Sequence, residues 1–376
     1  MMWRIAFQVL PVLAWLLALV VVVRRLELKR FASSLVAFLL ALAFGKFAFF
    51  AIVGGNSFTP DLPQRLIWFC GWAYASAFFL TAFSFVAAVV WGVMRKCGCT
   101  IPLRIKRICI AGLLVVAMGM STWGMYESLC ALSVRKIEVA WSELPTSFDG
   151  YRIAHLSDLH CSSAARRERI ERIVKAVNAL DVDLVAITGD FVDGSVQDRK
   201  DDFAPIADIR AKDGMIGCTG NHEMYWDWPG WSRMFRIWKL RFPEEDGPFF
   251  VRRGEDSLVF GGLKDHAFDR TGIAADAFSG VPLCAFRILL FHRPFTDKIE
   301  SEAADVKLQL SGHTHGGAMP IMRQLVSRFN EQHVRGLYEF APGRFLHVSP
   351  GTGQWAGFPL RILTPAEITV ITLRRK

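Results

Sequence analysis

The sequence predicts an α/β sandwich of two mixed β-sheets flanked by helices, preceded by four membrane-spanning helices. Four long apolar runs fill the first third of the 376-residue chain, and the remainder has the composition of a globular domain. In this second part, short β-rich runs alternate with a helix early and crowd together late. Many of these runs end in glycine, aspartate or histidine, so polar side chains are concentrated at predicted strand ends.

Each apolar run is long enough to cross a bilayer, which takes about 20 residues. A cleaved signal peptide is an alternative interpretation of the first run alone. Lys46 interrupts the second run near its end, and its side chain is expected to reach the headgroups. We predict a membrane domain over residues 1–126, with transmembrane helices at approximately Ile5–Val23, Phe31–Val53, Leu66–Val93 and Ile108–Met125.

The basic residues of the short loops predict the orientation of the chain. The loops after the first and third runs are rich in lysine and arginine, whereas the loop after the second has only Arg65. Basic short loops stay on the cytoplasmic side, so both termini and the globular domain are predicted to lie outside the cytoplasm. The protein is expected to be a multi-pass protein of the cell (inner) membrane.

The charge and the cysteines exclude other classes of protein. The formal net charge of +9 comes partly from the membrane loops, and the basic residues are spread along the chain. Without an aromatic–basic RNA signature, no nucleic-acid partner is expected. The globular part holds only Cys161, Cys218 and Cys284, at wide spacing, which is no disulfide framework.

The elements of the second part follow in order along the chain. Residues 127–150 are interpreted as a linker with an entry strand, and residues 151–376 as the globular domain. Apolar residues at helical spacing from Ile170 to Val177 predict a helix over residues 164–180. Further strands are predicted in "RIAHLSD", "VDLVAITGD", "GMIGC", "FFVRRGEDSLVFGGLKD", "FRILLF", "VKLQL", "RFLHV" and "EITVITL".

Polar residues cluster where five of these strands end. Each one alone is more often a turn or a satisfied loop residue, but five such groups in order are hard to obtain by accident. Loops at strand ends are where α/β folds place their sites. The candidate residues are Asp158, His160, Asp190, Asn221, His222, His292, His313 and His315.

The composition of this set indicates a metal site. Carboxylate, imidazole and amide oxygen together suit a borderline divalent metal such as Mn, Fe or Zn. Apart from His222, the set offers seven ligands, which are too many for one ion. Two ions that share Asp190 would each receive four. Such a pair suits in-line displacement at phosphorus by a metal-bridging hydroxide.

The blocks "DLH", "GD", "GNHE", "FH" and "GHTH" resemble the five blocks of the calcineurin-like metallophosphoesterases. The similarity covers roughly Lys136 to the C-terminus and is greatest to the bacterial membrane-anchored branch typified by YkuE and YaeI. It implies a four-layer sandwich as the catalytic domain. Two positions depart from this branch: Ala318 stands where glutamine is usual, and "GGLKDH" replaces a more acidic "GVDD"-like stretch.

The resemblance also implies a role for each candidate residue. One ion would take Asp158, His160, Asp190 and His315, and the second would take Asp190, Asn221, His292 and His313. His222, beside Asn221, would orient the phosphate and protonate the leaving oxygen. The histidines His155, His266, His333 and His347 match no block and are not expected to be ligands.

These inferences predict a membrane-anchored dimetal phosphohydrolase that cleaves a phosphodiester or pyrophosphate, plausibly a lipid or envelope precursor. A phosphomonoesterase on the same metals is an alternative. A UDP-diacylglucosamine-type pyrophosphatase would require the domain to be cytoplasmic. A catalytically inactive scaffold is disfavoured because all seven ligands and His222 are present. Transport by the helices is disfavoured because no acidic residue or broken helix pair marks a substrate path in the sequence.

A tryptophan-rich segment, residues 224–242, follows the "GNHE" block. Its aromatic and basic residues fit an interfacial helix that contacts lipid headgroups. They fit equally a cap that packs on its own domain, and the sequence does not favour one interpretation over the other.

Overall fold

A computed structural model of the chain describes residues 2–265, 276–282, 284–296 and 305–376. The chain divides into two compact units. We call residues 1–126 with 356–360 the membrane unit, and residues 127–355 with 361–376 the globular unit. Sequence analysis assigned residues 356–360 to the globular domain, so their place in the membrane unit was not anticipated.

Three helical stretches are long and apolar enough to cross a membrane, and a bent pair of helices is a fourth candidate. The first continues beyond α1 through a π-helical turn at Leu19–Val23 and a last turn at Arg24–Leu26. The helices are α1 (Met2–Ala18), α2 (Arg30–Phe44), α3 (Lys46–Gly54), α4 (Gln64–Lys96) and α5 (Leu103–Leu129). These helices indicate that the protein is associated with a membrane.

The second predicted span is not one straight helix, because α2 and α3 meet at an angle of 62°. Gly45 lies at the bend, where a Cβ atom would lie 2.9 Å from the carbonyl oxygen of Ala41. A residue without a side chain permits this close approach and therefore the bend.

Lys46 lies just after the bend and is only 2% exposed. Its Nζ donates a hydrogen bond of 2.6 Å to the carbonyl oxygen of Gly357 and lies 4.3 Å from the centre of the Phe47 ring. The Phe358 ring packs edge-on against Tyr74, with 6.0 Å between the ring centres. The expectation that Lys46 reaches the headgroups is wrong. Its ammonium group is stabilised inside the membrane unit by the carbonyl oxygen of Gly357 and the face of the Phe47 ring.

The globular unit contains two six-stranded mixed sheets. The first has the order β1-β12-β2-β3-β4-β5 and the second the order β10-β11-β9-β8-β7-β6. Strands β2 to β5 run parallel, as do β7, β8, β9 and β11. The strands are β1 (Ser133–Trp141), β2 (Arg152–Leu156), β3 (Leu184–Thr188), β4 (Met215–Cys218), β5 (Leu240–Arg241), β6 (Phe249–Arg253), β7 (Asp256–Leu263), β8 (Phe286–Phe291), β9 (Val306–Ser311), β10 (Gly336–Ala341), β11 (Arg344–Val348) and β12 (Glu367–Arg375).

One hydrophobic core lies between the sheets, where side chains such as Ile153 and Leu184 of the first meet Leu290 and Leu308 of the second. A second core covers the other face of the first sheet. The described helices of this unit are α6 (Arg167–Asn178), α7 (Val196–Phe203), α8 (Trp228–Ile237), α9 (Pro243–Asp246) and α10 (Pro320–Arg328). The prediction of two mixed sheets is confirmed.

The two outer faces are covered differently in the described residues. Helices α6 and α8 pack on the first sheet, whereas the second sheet is covered by a short turn at Asp276–Phe278 and neighbouring loop residues. The four-layer arrangement therefore stays a prediction.

The tryptophan-rich segment 224–242 packs on its own domain. Trp231 and Phe235 of α8 are fully buried, and the Trp231 Nε1 donates a hydrogen bond to the carbonyl oxygen of Gly194 at 2.9 Å. Rings that fill the core cannot at the same time lie in a bilayer, so the structure favours the cap over the lipid-contacting helix.

Candidate metal centre

The predicted site residues all lie where strands end. Asp158 and His160 follow β2, Asp190 follows β3, and Asn221 and His222 follow β4. His292 follows β8, and His313 and His315 follow β9. Because β2, β3 and β4 are parallel neighbours in one sheet and β8 and β9 in the other, their carboxyl ends form two adjoining edges. The structure thus brings residues from both sheets to one place.

One group of ligand atoms forms around Asp158. Its Oδ1 lies 3.5 Å from the His315 Nε2 and 3.9 Å from the His160 Nε2. The Nε2 atoms of His160 and His315 are 3.2 Å apart. Imidazole nitrogens and a carboxylate oxygen at these separations can converge on one cation.

A second group forms around His292. The ligand atoms of Asp265, His292 and His313 lie within 4.8 Å of one another, and so do those of Asp158, Asp190 and His292. The Nδ1 of His292 is 2.7 Å from the carbonyl oxygen of Thr188, which leaves its Nε2 to face the site.

Asp190 lies between the two groups. Its Oδ2 is 3.5 Å from the His160 Nε2 and 3.3 Å from the His292 Nε2. Its Oδ1 accepts a hydrogen bond from the backbone N–H of His222 at 2.9 Å. A single carboxylate therefore faces both groups of imidazoles.

The buried polar atoms at this place fit a divalent metal centre. The Oδ1 of Asp158, the Oδ1 of Asn221 and the Nε2 of His292 are buried without a hydrogen-bond partner among the described residues. A buried polar atom that makes no hydrogen bond costs about 1–3 kcal/mol. Coordination to a cation would satisfy all three, and carboxylate, amide and imidazole are ligands of borderline metals.

The backbone at the ligands is held in an unfavourable conformation. The left-handed region is occupied by Asp158 (φ 53°), His160 (φ 44°), Asp190 (φ 55°), His313 (φ 71°) and His315 (φ 48°). Non-glycine residues are uncommon in this region, and each costs about 1–3 kcal/mol, so the conformation persists only where the surrounding structure enforces it. Strain of this kind is concentrated at functional sites, which agrees with the placement of these five residues.

His222 is the candidate acid at the edge of the centre. Its Nδ1 lies 2.6 Å from the Oδ1 of Asp193, and its Nε2 lies 4.0 Å from the Oδ2 of Asp190. Burial favours the neutral ring, but the negative charges of Asp190 and Asp193 outweigh it and raise the pKa of His222 to about 9. A protonated ring with 16% of its side chain exposed can donate a proton to a bound molecule.

Asp193 is a candidate site residue that sequence reasoning missed. Its Oδ1 contacts the His222 Nδ1, and its Oδ2 lies 3.1 Å from the Nδ1 of His160. Burial opposes ionisation of Asp193, but the charges of His222 and His160 outweigh it and lower the pKa of the carboxyl. Its position three residues after Asp190 in "GDFVDG" was the available signal.

The substitution Asp193→Asn should lower turnover by roughly 10- to 100-fold, the usual cost of removing a partner that orients a metal-binding histidine. The reason is that one ionised carboxylate orients both His160 and His222. Hydrolysis of a phosphate ester measures the effect, and Asp201→Asn, at an exposed position, is the matched control. Equal rates in the two variants would contradict the orienting role.

Glu223 fixes the loops that carry Asp190 and Asn221. Its Oε2 accepts hydrogen bonds from the backbone N–H groups of Asp190 at 2.9 Å and Gly220 at 2.7 Å. Its Oε1 accepts from the N–H of Phe191 at 2.8 Å. A Cβ atom on Gly220 would overlap the carboxylate of Asp190, so only glycine allows this close packing.

Sequence reasoning also missed Asp265 and Arg293, which lie beside His292 and His313. Asp265 follows β7, the parallel neighbour of β8, and is 2% exposed. Both of its carboxylate oxygens lie 2.9 Å from the Nε of Arg293. Two features of the sequence could have indicated this pair. Asp265 is a charged residue after a predicted strand in "GGLKD", and Arg293 directly follows the predicted ligand His292.

The remaining histidines lie apart from these groups where the structure describes them. The rings of His155 and His347 face each other in the interior with their Nδ1 atoms 2.8 Å apart. The Nδ1 of His333 lies 3.0 Å from the carbonyl oxygen of Pro294. His266 lies outside the described residues.

Two mixed sheets that gather carboxylates and imidazoles at their strand ends define the class of metal-dependent phosphoesterases. A family model described as "Calcineurin-like phosphoesterase" matches residues 151–317. The chain belongs to that family, as the sequence motifs predicted.

Comparison with known proteins supports the same family. An "Uncharacterized metallophosphoesterase" of Aquifex aeolicus is 30% identical over 256 residues, 65% of this chain and 93% of that protein. The "Uncharacterized metallophosphoesterase YkuE" of Bacillus subtilis is 27% identical over 62% of this chain and 82% of its own length. A "Transmembrane protein with metallophosphoesterase domain" of Danio rerio is 29% identical over 70% of this chain. The match spans 62% of the Danio rerio protein.

Proposed function

We propose that this protein is a membrane-anchored dimetal phosphohydrolase that cleaves a phosphodiester or pyrophosphate. The observation that carries the proposal is the position of Asp190, whose Oδ2 lies 3.5 Å from one imidazole group and 3.3 Å from the other. One ion would be held by Asp158, His160, Asp190 and His315, and the second by Asp190, Asn221, His292 and His313. Mn, Fe or Zn suits these ligands.

Two such ions, when bound, supply Lewis acidity and a water molecule of lowered pKa for in-line displacement at phosphorus. The protein supplies the geometry and the proton. His222 donates a proton from its Nε2 to the leaving oxygen, while Asp193 holds the opposite ring nitrogen at 2.6 Å. Asn221, which directly precedes His222, would hold the second ion through its buried Oδ1.

Arg293 adds a positive charge on the side of the second group. Its Nε is fixed by both oxygens of Asp265, and 21% of its side chain is exposed. An arginine fixed in this way can bind the non-bridging oxygens of a phosphate. This charge suits a substrate with a second anionic group, which is consistent with a diester or pyrophosphate of a lipid or envelope precursor.

The membrane helices and the loop charges support a site outside the cytoplasm, in the cell (inner) membrane. The loops after the first and third apolar runs carry the basic residues, and such loops stay in the cytoplasm. If the chain crosses the membrane four times and these two loops are cytoplasmic, both ends of the chain lie outside the cytoplasm. This orientation assumes that the bent pair α2–α3 crosses the membrane as one span.

The proposal is tested with the full-length protein in detergent, stripped of metal and then supplied with Mn²⁺. We expect hydrolysis of bis-p-nitrophenyl phosphate to return with the metal and to exceed that of p-nitrophenyl phosphate. A clear preference for the monoester would replace the phosphodiesterase by a phosphomonoesterase. Failure of every divalent ion to restore hydrolysis of either ester would overturn the enzymatic proposal.

A further inference from the structure

Helix α10 presents an apolar face to the surroundings. It begins five residues after the predicted ligand His315, and none of its side chains is buried. Ile321 is 81% exposed, Leu325 is 48% exposed, and Phe329, which caps the helix, is 70% exposed. Among the described residues from 127 onward, Ile321 and Phe329 are the most exposed large apolar side chains.

These three residues share one face of the helix because they are spaced by four positions. The opposite side is fixed to the domain, where the Arg323 Nη2 donates hydrogen bonds to the carbonyl oxygen of Leu363 and to the Thr364 Oγ1, both at 3.1 Å. Arg323 also lies close to Gly317, where an added Cβ would meet its Cγ at 2.8 Å. The apolar face is therefore held outward by contacts on the opposite side.

Arg328 gives the same face a basic edge. It is exposed and lies three positions after Leu325 and seven after Ile321, so it projects beside the apolar row. A row of apolar side chains flanked by a basic one is the pattern of a helix that lies in a membrane interface, with apolar groups at the acyl boundary and the cation at lipid phosphates.

Only a few residues separate the segment that contacts α10 from the membrane unit along the chain. Leu363, which Arg323 joins to the helix, is 61% exposed and follows Leu360 of the membrane unit by three residues. Three peptide units span at most roughly 11 Å between the Cα atoms. The chain therefore allows Leu363 and the helix bound to it to reach a bilayer that surrounds the membrane unit.

We propose that the apolar face of α10, formed by Ile321, Leu325 and Phe329, rests in the interfacial layer of the bilayer, with Arg328 at the phosphates of anionic lipids. The helix directly follows the loop of His313 and His315, so this contact would hold the candidate metal centre at the lipid surface. The contact does not require that the centre be active.

Photo-crosslinking tests the contact in the full-length protein. We would place p-benzoylphenylalanine at Leu325 or Phe329 in vesicles of phosphatidylcholine and phosphatidylglycerol, irradiate them, and measure lipid adducts by mass spectrometry. Ile237, which is 68% exposed on α8, is the matched control position. We expect adducts at 325 and 329 and none at 237. Absence of adducts at both α10 positions, crosslinks to a second copy of the chain, or equal adducts at 237 would each overturn the proposal.

The double variant Leu325→Asp/Phe329→Asp provides a second readout, which does rest on the proposed function. Charge on this face should lower hydrolysis of a phosphodiester lipid analogue in vesicles several-fold and leave bis-p-nitrophenyl phosphate hydrolysis unchanged. Ile237→Asp should change neither rate. If the double variant retained the full rate on the vesicle substrate, the bilayer contact would be refuted while the enzymatic proposal stood.

Discussion

The variant Asp190→Ala should lose phosphodiester hydrolysis to the level of buffer alone. Its carboxylate is the only one among the described residues that lies within 3.5 Å of imidazoles in both ligand groups, so its removal affects both ions. The loss also removes the acceptor of the His222 backbone N–H, which positions the candidate acid. Hydrolysis of bis-p-nitrophenyl phosphate and the metal content of the purified protein measure the two effects together.

Asp201→Ala is the matched control, because Asp201 is exposed on α7 and belongs to neither group of predicted ligands. Circular dichroism of both variants separates loss of the site from loss of the fold. An Asp190→Ala protein that bound metal and turned over at the normal rate would refute the shared-ligand assignment.

The variant His222→Ala should keep its metal but lose turnover by roughly 100-fold or more, the scale of a general acid. His222 is not assigned to either ion, and its contacts are to Asp193 and Asp190 rather than to the histidines of the second group. The loss should be greater for a phenyl ester than for a p-nitrophenyl ester, since a poorer leaving group needs the proton more. Kinetics with both esters and metal analysis check the expectation.

His333→Ala serves as the control, because the described contacts of His333 are with Pro294 and Tyr338, away from the ligand groups. Loss of metal in the His222 variant would indicate a ligand instead of an acid. An equal loss for the two esters would remove the proton-transfer role and leave a role in orienting the phosphate.

The candidate metal ligands could be predicted because they follow apolar runs. The runs that became β2, β3 and β4 are mostly apolar, although β2 contains Arg152 and His155, and a polar residue shortly after such a run is visible in the sequence. Parallel pairing then places those ends together, whereas the assignment of each residue to one ion or the other came from the resemblance to the family.

Residues that act through another residue could not be predicted in the same way. Asp193 and Glu223 lie near the ligands in sequence, but their partners are chosen by the turn geometry after β3 and β4. The Asp265–Arg293 pair joins the ends of two strands. Such contacts depend on the register of the second sheet, which composition and periodicity do not specify.

For the membrane helices, the sequence predicts which segments can cross a bilayer but not their detailed geometry. Apolar length predicts that a segment can lie in a bilayer, but it carries no information about a bend at one glycine or about the partner of one lysine. Gly45 and Lys46 are adjacent, and the bend between α2 and α3 allows the lysine to turn inward to Gly357. The tryptophans of α8 were ambiguous because the same rings suit a core and an interface.

The segment 356–360 means that the two halves of this protein cannot be separated by one cut. A chain that began at residue 127 would retain Phe358 and Pro359 but lose their neighbours Tyr74 and Gly71, and Gly357 would lose Lys46. The liberated loop would expose apolar residues between Trp355, which contacts His222, and Arg361, which lies 3.4 Å from His315. A fragment that began at residue 127 would thus expose apolar side chains that residues 1–126 normally cover, so purification should retain the membrane helices.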